Sequence, residues 1–188
     1  VSDATEEERR LMLEMFQYTV WPTNSTKDPH DYSDLEGDMA SIRENPVMCQ
    51  EICDILQYNL DHLDFVDENV DLGFTCPLDL HCHYTKDQIL VALGHPERAK
   101  SMRQGVLYLK DRNLDFFINT LNKADKDYSP TTMYADYSIN EHLFHWQSQS
   151  TTSEASNTGQ RYIYHKEMGS QILLFVREYN KDQTGTAP

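Results

Sequence analysis

The spacing of apolar residues changes from a helical period to short runs part-way along the chain. In the first part, apolar side chains recur every three or four residues, which predicts helices over about 5–19 and 46–62. Thr5 with Glu8 forms a predicted capping box at the first start, and Asn45 before Pro46 marks the second. The polar segment 22–37 predicts a loop, with a short helix after Asp34.

A compact third helix is predicted where Thr85 and Gln88 form another capping box and Gly94 ends the apolar pattern. Short apolar runs separated by turns follow, and they predict five strands over 105–109, 115–122, 143–148, 161–165 and 172–179. The fold class is therefore α+β, a helical module followed by a mostly antiparallel sheet or open barrel. The chain has a polar tail after Tyr179, and since a small barrel needs further strands to close, we expect the fold to continue past residue 188.

The net charge of −15 is confined to the helical part. Residues 1–80 hold 19 Asp and Glu against 4 Lys and Arg, whereas residues 81–188 hold 12 of each kind. Together with the change in apolar spacing, this division predicts an acidic helical module over 1–80 and a β-rich domain over 81–188. Because the second domain is electrically balanced, it is not excluded from binding a polyanion.

The cysteines and acidic side chains offer little metal chemistry. Cys49, Cys53, Cys76 and Cys82 lack the tight paired spacing of a zinc site, so buried free thiols in a reducing compartment are the better interpretation. The acids of the predicted helices fit a solvated outer face rather than a ligand set. No long apolar run or signal pattern occurs, and we expect a soluble, cytoplasmic protein with no cofactor in this chain.

The segment 127–165 combines many aromatic side chains with hydroxyl and amide groups, a mixture suited to a flat, hydrogen-bonding ligand such as a base. The predicted base-binding residues are Tyr134, Asp136, Tyr137, Trp146, Gln147 and Gln149. The rings would stack on an extruded base, while Asp136 and the glutamines would read its edge. The alternative is an ordinary core with loops, because Tyr and Trp also fill sheet interiors.

Basic side chains near this segment are candidates for holding phosphates. The predicted phosphate-binding residues are Lys123, Lys126, Arg161 and Lys166, with Arg177 as a further candidate. Each of them also fits a merely solvated or structural role.

Catalytic signatures are missing. The sequence contains no phosphate-binding loop, dinucleotide turn, zinc-protease helix or nucleophile elbow, so an ATPase or hydrolase of those types is not expected. His142, His145 and Glu141 could form an acid–base group, but no nucleophile candidate accompanies them. The chain is therefore interpreted as non-enzymatic.

Several longer segments of the sequence resemble a known domain. The strings YTKDQILVALG, DYSPTTMYADYSINEHLFHWQSQS and ILLFVREY are similar to the C-terminal domain, formerly of unknown function, of SauUSI-like type IV restriction enzymes. Those polypeptides join a phospholipase-D-type nuclease and a superfamily-two helicase to this domain. The resemblance covers about residues 80–180, and it identifies the preceding helical module as a linker to the helicase.

This resemblance implies a target-recognition fragment that reads 5-methylcytosine in DNA by base flipping, with a fold similar to SRA or PUA-like barrels. ATP, a divalent metal and strand cleavage would belong to the helicase and nuclease domains of the same polypeptide. The expected partners are modified duplex DNA and those domains, without a membrane. The alternative is a non-catalytic coupling or interaction module, since an acidic surface can dock on a basic helicase face.

Overall fold

A computed structural model describes residues 4–23, 30–62, 71–98, 102, 105–122, 136–140 and 142–179. The predicted α+β class is confirmed, with helices in the first part and small sheets in the second. The chain divides into two compact units, Val1–Ser101 (unit 1) and Met102–Pro188 (unit 2). This boundary lies later than residue 80 because the helix predicted after Thr85 packs on the first helix. None of the described helices is long and apolar enough to cross a membrane.

The described residues of unit 1 form four α-helices, α1 Glu6–Val20, α2 Leu35–Arg43, α3 Pro46–Asp61 and α4 Lys86–Ala92, and one turn of 3-10 helix over Pro96–Arg98. Both predicted capping boxes form. Gly94 ends α4 at φ +77°, and the His95 amide donates back to the Leu90 carbonyl.

The core of unit 1 lies mainly where α1 contacts α4. Its buried apolar residues include Leu11, Met15, Ile89, Leu90 and Leu93. Gln17 is also buried, and its amide donates to Asp38 at 2.6 Å, so a polar residue occupies a position that the apolar pattern did not mark. By contrast, α3 has no buried residue, although the apolar pattern predicted a face like that of α1.

Unit 2 is built on a three-stranded sheet in the order β1 Val106–Leu109, β2 Leu114–Asn122 and β5 Gln171–Tyr179. The pairing of β1 with β2 is antiparallel, as predicted for most of the sheet, but β2 and β5 run parallel. A separate hairpin pairs β3 Tyr137–Ser138 with β4 Phe144–His145 in antiparallel register. The described strands therefore form a mixed sheet and a hairpin.

One predicted strand is wrong. Residues 161–165 were expected to be extended, but helix α5 covers Asn157–Ile163. Ser156 caps α5 by accepting a hydrogen bond from the Gly159 amide at 3.0 Å. A side chain at residue 159 would lie 2.1 Å from the Ser153 carbonyl oxygen, so this start of the helix requires glycine.

All four cysteines lie in unit 1 and none forms a disulfide bond, as expected, but only Cys76 is buried. Cys49 and Cys82 are half-buried and Cys53 is exposed, which corrects the expectation that all four thiols are buried. Within the described part of the chain, no group of three or more His, Cys, Asp and Glu side chains is arranged to hold a metal ion.

Candidate functional site

The β3–β4 hairpin presents an aromatic pair to solvent. Tyr137 pairs with His145 across the hairpin, and their rings stack at 4.8 Å between centroids. The Tyr137 side chain is 52% exposed, and Ile139 and Leu143 beside the turn are exposed as well. One face of the Tyr137 ring is covered by the imidazole, so the opposite face is available for a flat ligand.

Asp136 links the two chain segments at the open end of the hairpin. Its Oδ1 accepts a hydrogen bond from the Gln147 backbone amide at 2.9 Å. Both residues were predicted to read a base edge, and the structure brings them together through this bond. The Asp136 carboxylate therefore contributes to holding the hairpin in register.

Trp146 packs in the opposite direction from the exposed pair. Successive side chains of a strand point to opposite sides, so His145 contacts Tyr137 whereas Trp146 contacts the main sheet. The Trp146 ring stacks on Phe117 of β2 at 4.4 Å and meets Tyr162 of α5 edge-on at 5.2 Å. The two predicted stacking residues thus face different surroundings, and Trp146 is half-buried against β2 and α5.

A buried ion pair lies on the same side of β2 as Phe117. Asp115 accepts hydrogen bonds from Arg161 Nε at 2.6 Å and Nη2 at 2.9 Å. The Arg161 guanidinium carbon also lies 3.7 Å from the centre of the Tyr108 ring. The hydrogen bonds that Arg161 donates to Asp115 raise the pKa of Arg161, and burial raises the pKa of the neighbouring Tyr162. This network favours a structural role for Arg161, and its predicted phosphate contact stays a prediction.

The remaining predicted residues are scattered. Gln149 Oε1 accepts from the Thr152 hydroxyl at 3.2 Å, while Lys166 is exposed. Arg177 is half-buried, and its Nε donates to Thr120 at 2.9 Å. Tyr134, Lys123 and Lys126 lie outside the described residues, as does Glu141 of the acid–base group. Of that group, His142 is exposed and His145 belongs to the aromatic pair.

Three residues of β2 that build this region were missed from the sequence. Asp115 and Phe117 anchor Arg161 and Trp146, and Asn119 is buried with an amide nitrogen that lacks a hydrogen-bond partner among the described residues. A signal was present, because a charged and an amide residue interrupt an apolar strand there. Buried polar groups ordinarily have partners, so such interruptions indicate long-range contacts or a ligand.

Comparison with known proteins identifies the family. A family described as "Domain of unknown function (DUF3427)" matches residues 78–187, more than half of the chain. The chain belongs to this family. The matched part contains the hairpin, the ion pair and the aromatic cluster of unit 2. No curated protein and no solved structure matches the chain.

Proposed function

We propose that this DUF3427 chain is the target-recognition part of a modification-dependent restriction helicase and nuclease of the SauUSI-like type, and that it reads 5-methylcytosine in duplex DNA. The similarity of its sequence strings to that group supports the proposal, and those strings lie within the family match at 78–187. The parent polypeptide would act in the cytoplasm with ATP and a divalent metal, both bound by its other domains. This chain supplies recognition and no catalytic step.

The exposed Tyr137–His145 stack is the observation that carries the proposal. An aromatic ring with one face covered and the other in solvent is a platform for an extruded base, and each such stack contributes about 1–3 kcal/mol. Extruding a base costs a few kcal/mol, which a stacking platform partly offsets. Ile139 and Leu143 at the turn are exposed, and in this proposal they fill space beside the bases.

The roles within the hairpin differ from the first expectation. Asp136 and Gln147 act together to hold the hairpin, so Asp136 is a positioning residue rather than a direct edge reader. Trp146 supports the hairpin from the sheet side through Phe117 and Tyr162. Stacking on the base is therefore assigned to Tyr137.

The test compares two exposed tyrosine–histidine stacks in the same full chain. Tyr58 of α3 is 63% exposed and stacks on His62 at 4.1 Å, but it lies in the acidic unit. We expect Tyr137→Ala to weaken binding to a 5-methylcytosine duplex at least about fivefold, the lower end of one stacking interaction. Tyr58→Ala is the matched control and should leave the dissociation constant, measured by fluorescence anisotropy, unchanged.

Two outcomes would contradict this assignment. Unchanged binding by Tyr137→Ala would remove Tyr137 from the interface, and an equal loss in both variants would point to a general effect of exposed rings. Trp146→Ala tests whether Trp146 supports the hairpin or contacts the base. If Trp146 supports the hairpin, the variant should lower the melting temperature of the chain as well as its affinity for the duplex. A loss of binding at unchanged melting temperature would instead place Trp146 against the base.

A further inference from the structure

Helix α3 carries an apolar stripe that continues beyond its contacts with α2. Met48, Ile52, Leu56 and Leu60 follow one another at a spacing of four and lie along one side of the helix. The first two are half-buried, whereas Leu56 is 57% and Leu60 61% exposed. From Cys53 to His62 every residue of the chain is exposed.

Such a stripe is costly in water. The free energy falls when apolar surface leaves water, and most helices in proteins depend on the packing of an apolar face. A contiguous exposed patch of this kind marks an interaction surface. Ile55 lies beside the stripe and is exposed as well, which widens the patch.

The negative charge around the stripe favours a positively charged partner. Three carboxylates belong to α3, Glu51, Asp54 and Asp61, and no Lys or Arg occurs between Arg43 and Lys86. Two of the carboxylates accept hydrogen bonds from neutral glutamine amides, at 2.7 Å from Gln50 to Asp54 and at 2.8 Å from Gln57 to Asp61. These hydrogen bonds bring no positive charge to the two carboxylates. A basic partner gains from this surface, whereas an equally acidic one is repelled.

We propose that the α3 stripe docks on an amphipathic helix of another protein, one whose apolar stripe has Lys or Arg along its borders. The two helices pack stripe against stripe, with Leu56 and Leu60 as anchors. A second copy of this chain is disfavoured as the occupant because it would bring the same acidic helix. The inference concerns unit 1 alone, and it does not depend on base reading by unit 2.

The experiment uses the full chain and two labelled helical peptides with the same leucine stripe. One peptide carries lysines beside the stripe and the other carries glutamates at the same positions. We expect the lysine peptide to bind in fluorescence anisotropy, with an affinity that falls as salt rises, and the glutamate peptide to bind at least tenfold more weakly.

Variants of the chain locate the binding. Leu56→Gln combined with Leu60→Gln should weaken the lysine peptide at least tenfold, while circular dichroism shows the helix content unchanged. Leu13→Gln is the matched control, because Leu13 is a 45% exposed leucine of α1 in the same unit. Equal binding of both peptides, no loss in the double variant or an equal loss in the control would overturn the proposal. A reversible dimer in sedimentation that the double variant abolishes would assign the stripe to a second copy and overturn it too.

Discussion

In each unit, a carboxylate pairs with a basic side chain that packs on an aromatic ring. The two pairs differ in burial and in whether the basic side chain is an arginine or a histidine. In unit 2, Asp115 binds the permanently charged Arg161, which stacks over Tyr108. In unit 1, Asp38 binds His30 at 2.6 Å, and the imidazole stacks on Trp21 at 4.5 Å. A guanidinium supplies two fixed donors to one carboxylate, whereas an imidazole supplies one.

The surroundings of the two carboxylates differ as well. The Asp115 side chain is 2% exposed, whereas the Asp38 side chain retains 16% exposure and a second hydrogen bond from Gln17. Removing one partner from a buried pair leaves an uncompensated charge, which costs more than removing a partner from a pair that water can reach. The comparison indicates that unit 2 depends on its ion pair much more strongly than unit 1 depends on its own.

The largest effect is expected from Arg161→Met, which leaves the Asp115 carboxylate buried and unpaired. We expect a loss of about 3–5 kcal/mol in the free energy of unfolding of unit 2. The chain has two tryptophans, Trp21 in unit 1 and Trp146 in unit 2, so a Trp21→Phe background lets the fluorescence of Trp146 follow unit 2 alone during urea unfolding.

The control for this prediction removes both partners. Asp115→Leu together with Arg161→Met should recover most of the lost stability, since no charge is then left buried. A loss below about 1 kcal/mol in the single variant would contradict the view that this ion pair organises unit 2.

A smaller effect is expected from His30→Phe in unit 1. The phenyl ring preserves stacking on Trp21 but removes the hydrogen bond to Asp38, which keeps Gln17 and partial access to water. We expect a loss of about 1 kcal/mol in the free energy of unfolding, followed by Trp21 fluorescence in a Trp146→Phe background. A loss as large as that of Arg161→Met would remove the difference between the two pairs.

The smallest effect appears only in alkali. Burial, with a further contribution from Tyr32, raises the pKa of Tyr18 in unit 1 from 10.0 to about 12. Below pH 10 the phenol is neutral in both states, and between pH 10 and 12 the unfolded chain loses its proton first, so the stability of unit 1 falls as pH rises. Tyr18→Phe should make this decline shallower in urea titrations at pH 9 to 11. If the free energy of unfolding fell as steeply with pH in Tyr18→Phe as in the unmodified chain, Tyr18 would not be the cause of the decline.

The starts and ends of several helices could be predicted from the sequence. The capping boxes at Thr5 and Thr85, the Asn45 cap and the glycine stop at Gly94 depend on neighbouring residues only, and all of them form. The strand predicted at 161–165 failed because aromatic and β-branched residues favour a strand locally. The Ser156 cap and packing of Tyr162 on Phe117 override that preference.

The contacts between distant residues could not be predicted. The parallel pairing of β2 with β5 and the bond of Arg161 to Asp115 join positions far apart in the chain, which no local pattern encodes. In the candidate site, the amino-acid composition identified the aromatic segment, but it did not show in which direction each aromatic side chain points. Whether His145 or Trp146 lies beside Tyr137 depends on the register of β4 against β3, and a shift of β4 by one residue would exchange the two.

The most direct test of the central claim is the ratio of dissociation constants for two duplexes that differ only in 5-methylcytosine. It is measured with the unmodified full chain by fluorescence anisotropy at low and at moderate salt, because the shared phosphate contacts weaken with salt. We expect the methylated duplex to bind at least about tenfold more tightly at both salt concentrations. Equal dissociation constants for the two duplexes at both concentrations would contradict the proposal that this chain reads a modified base.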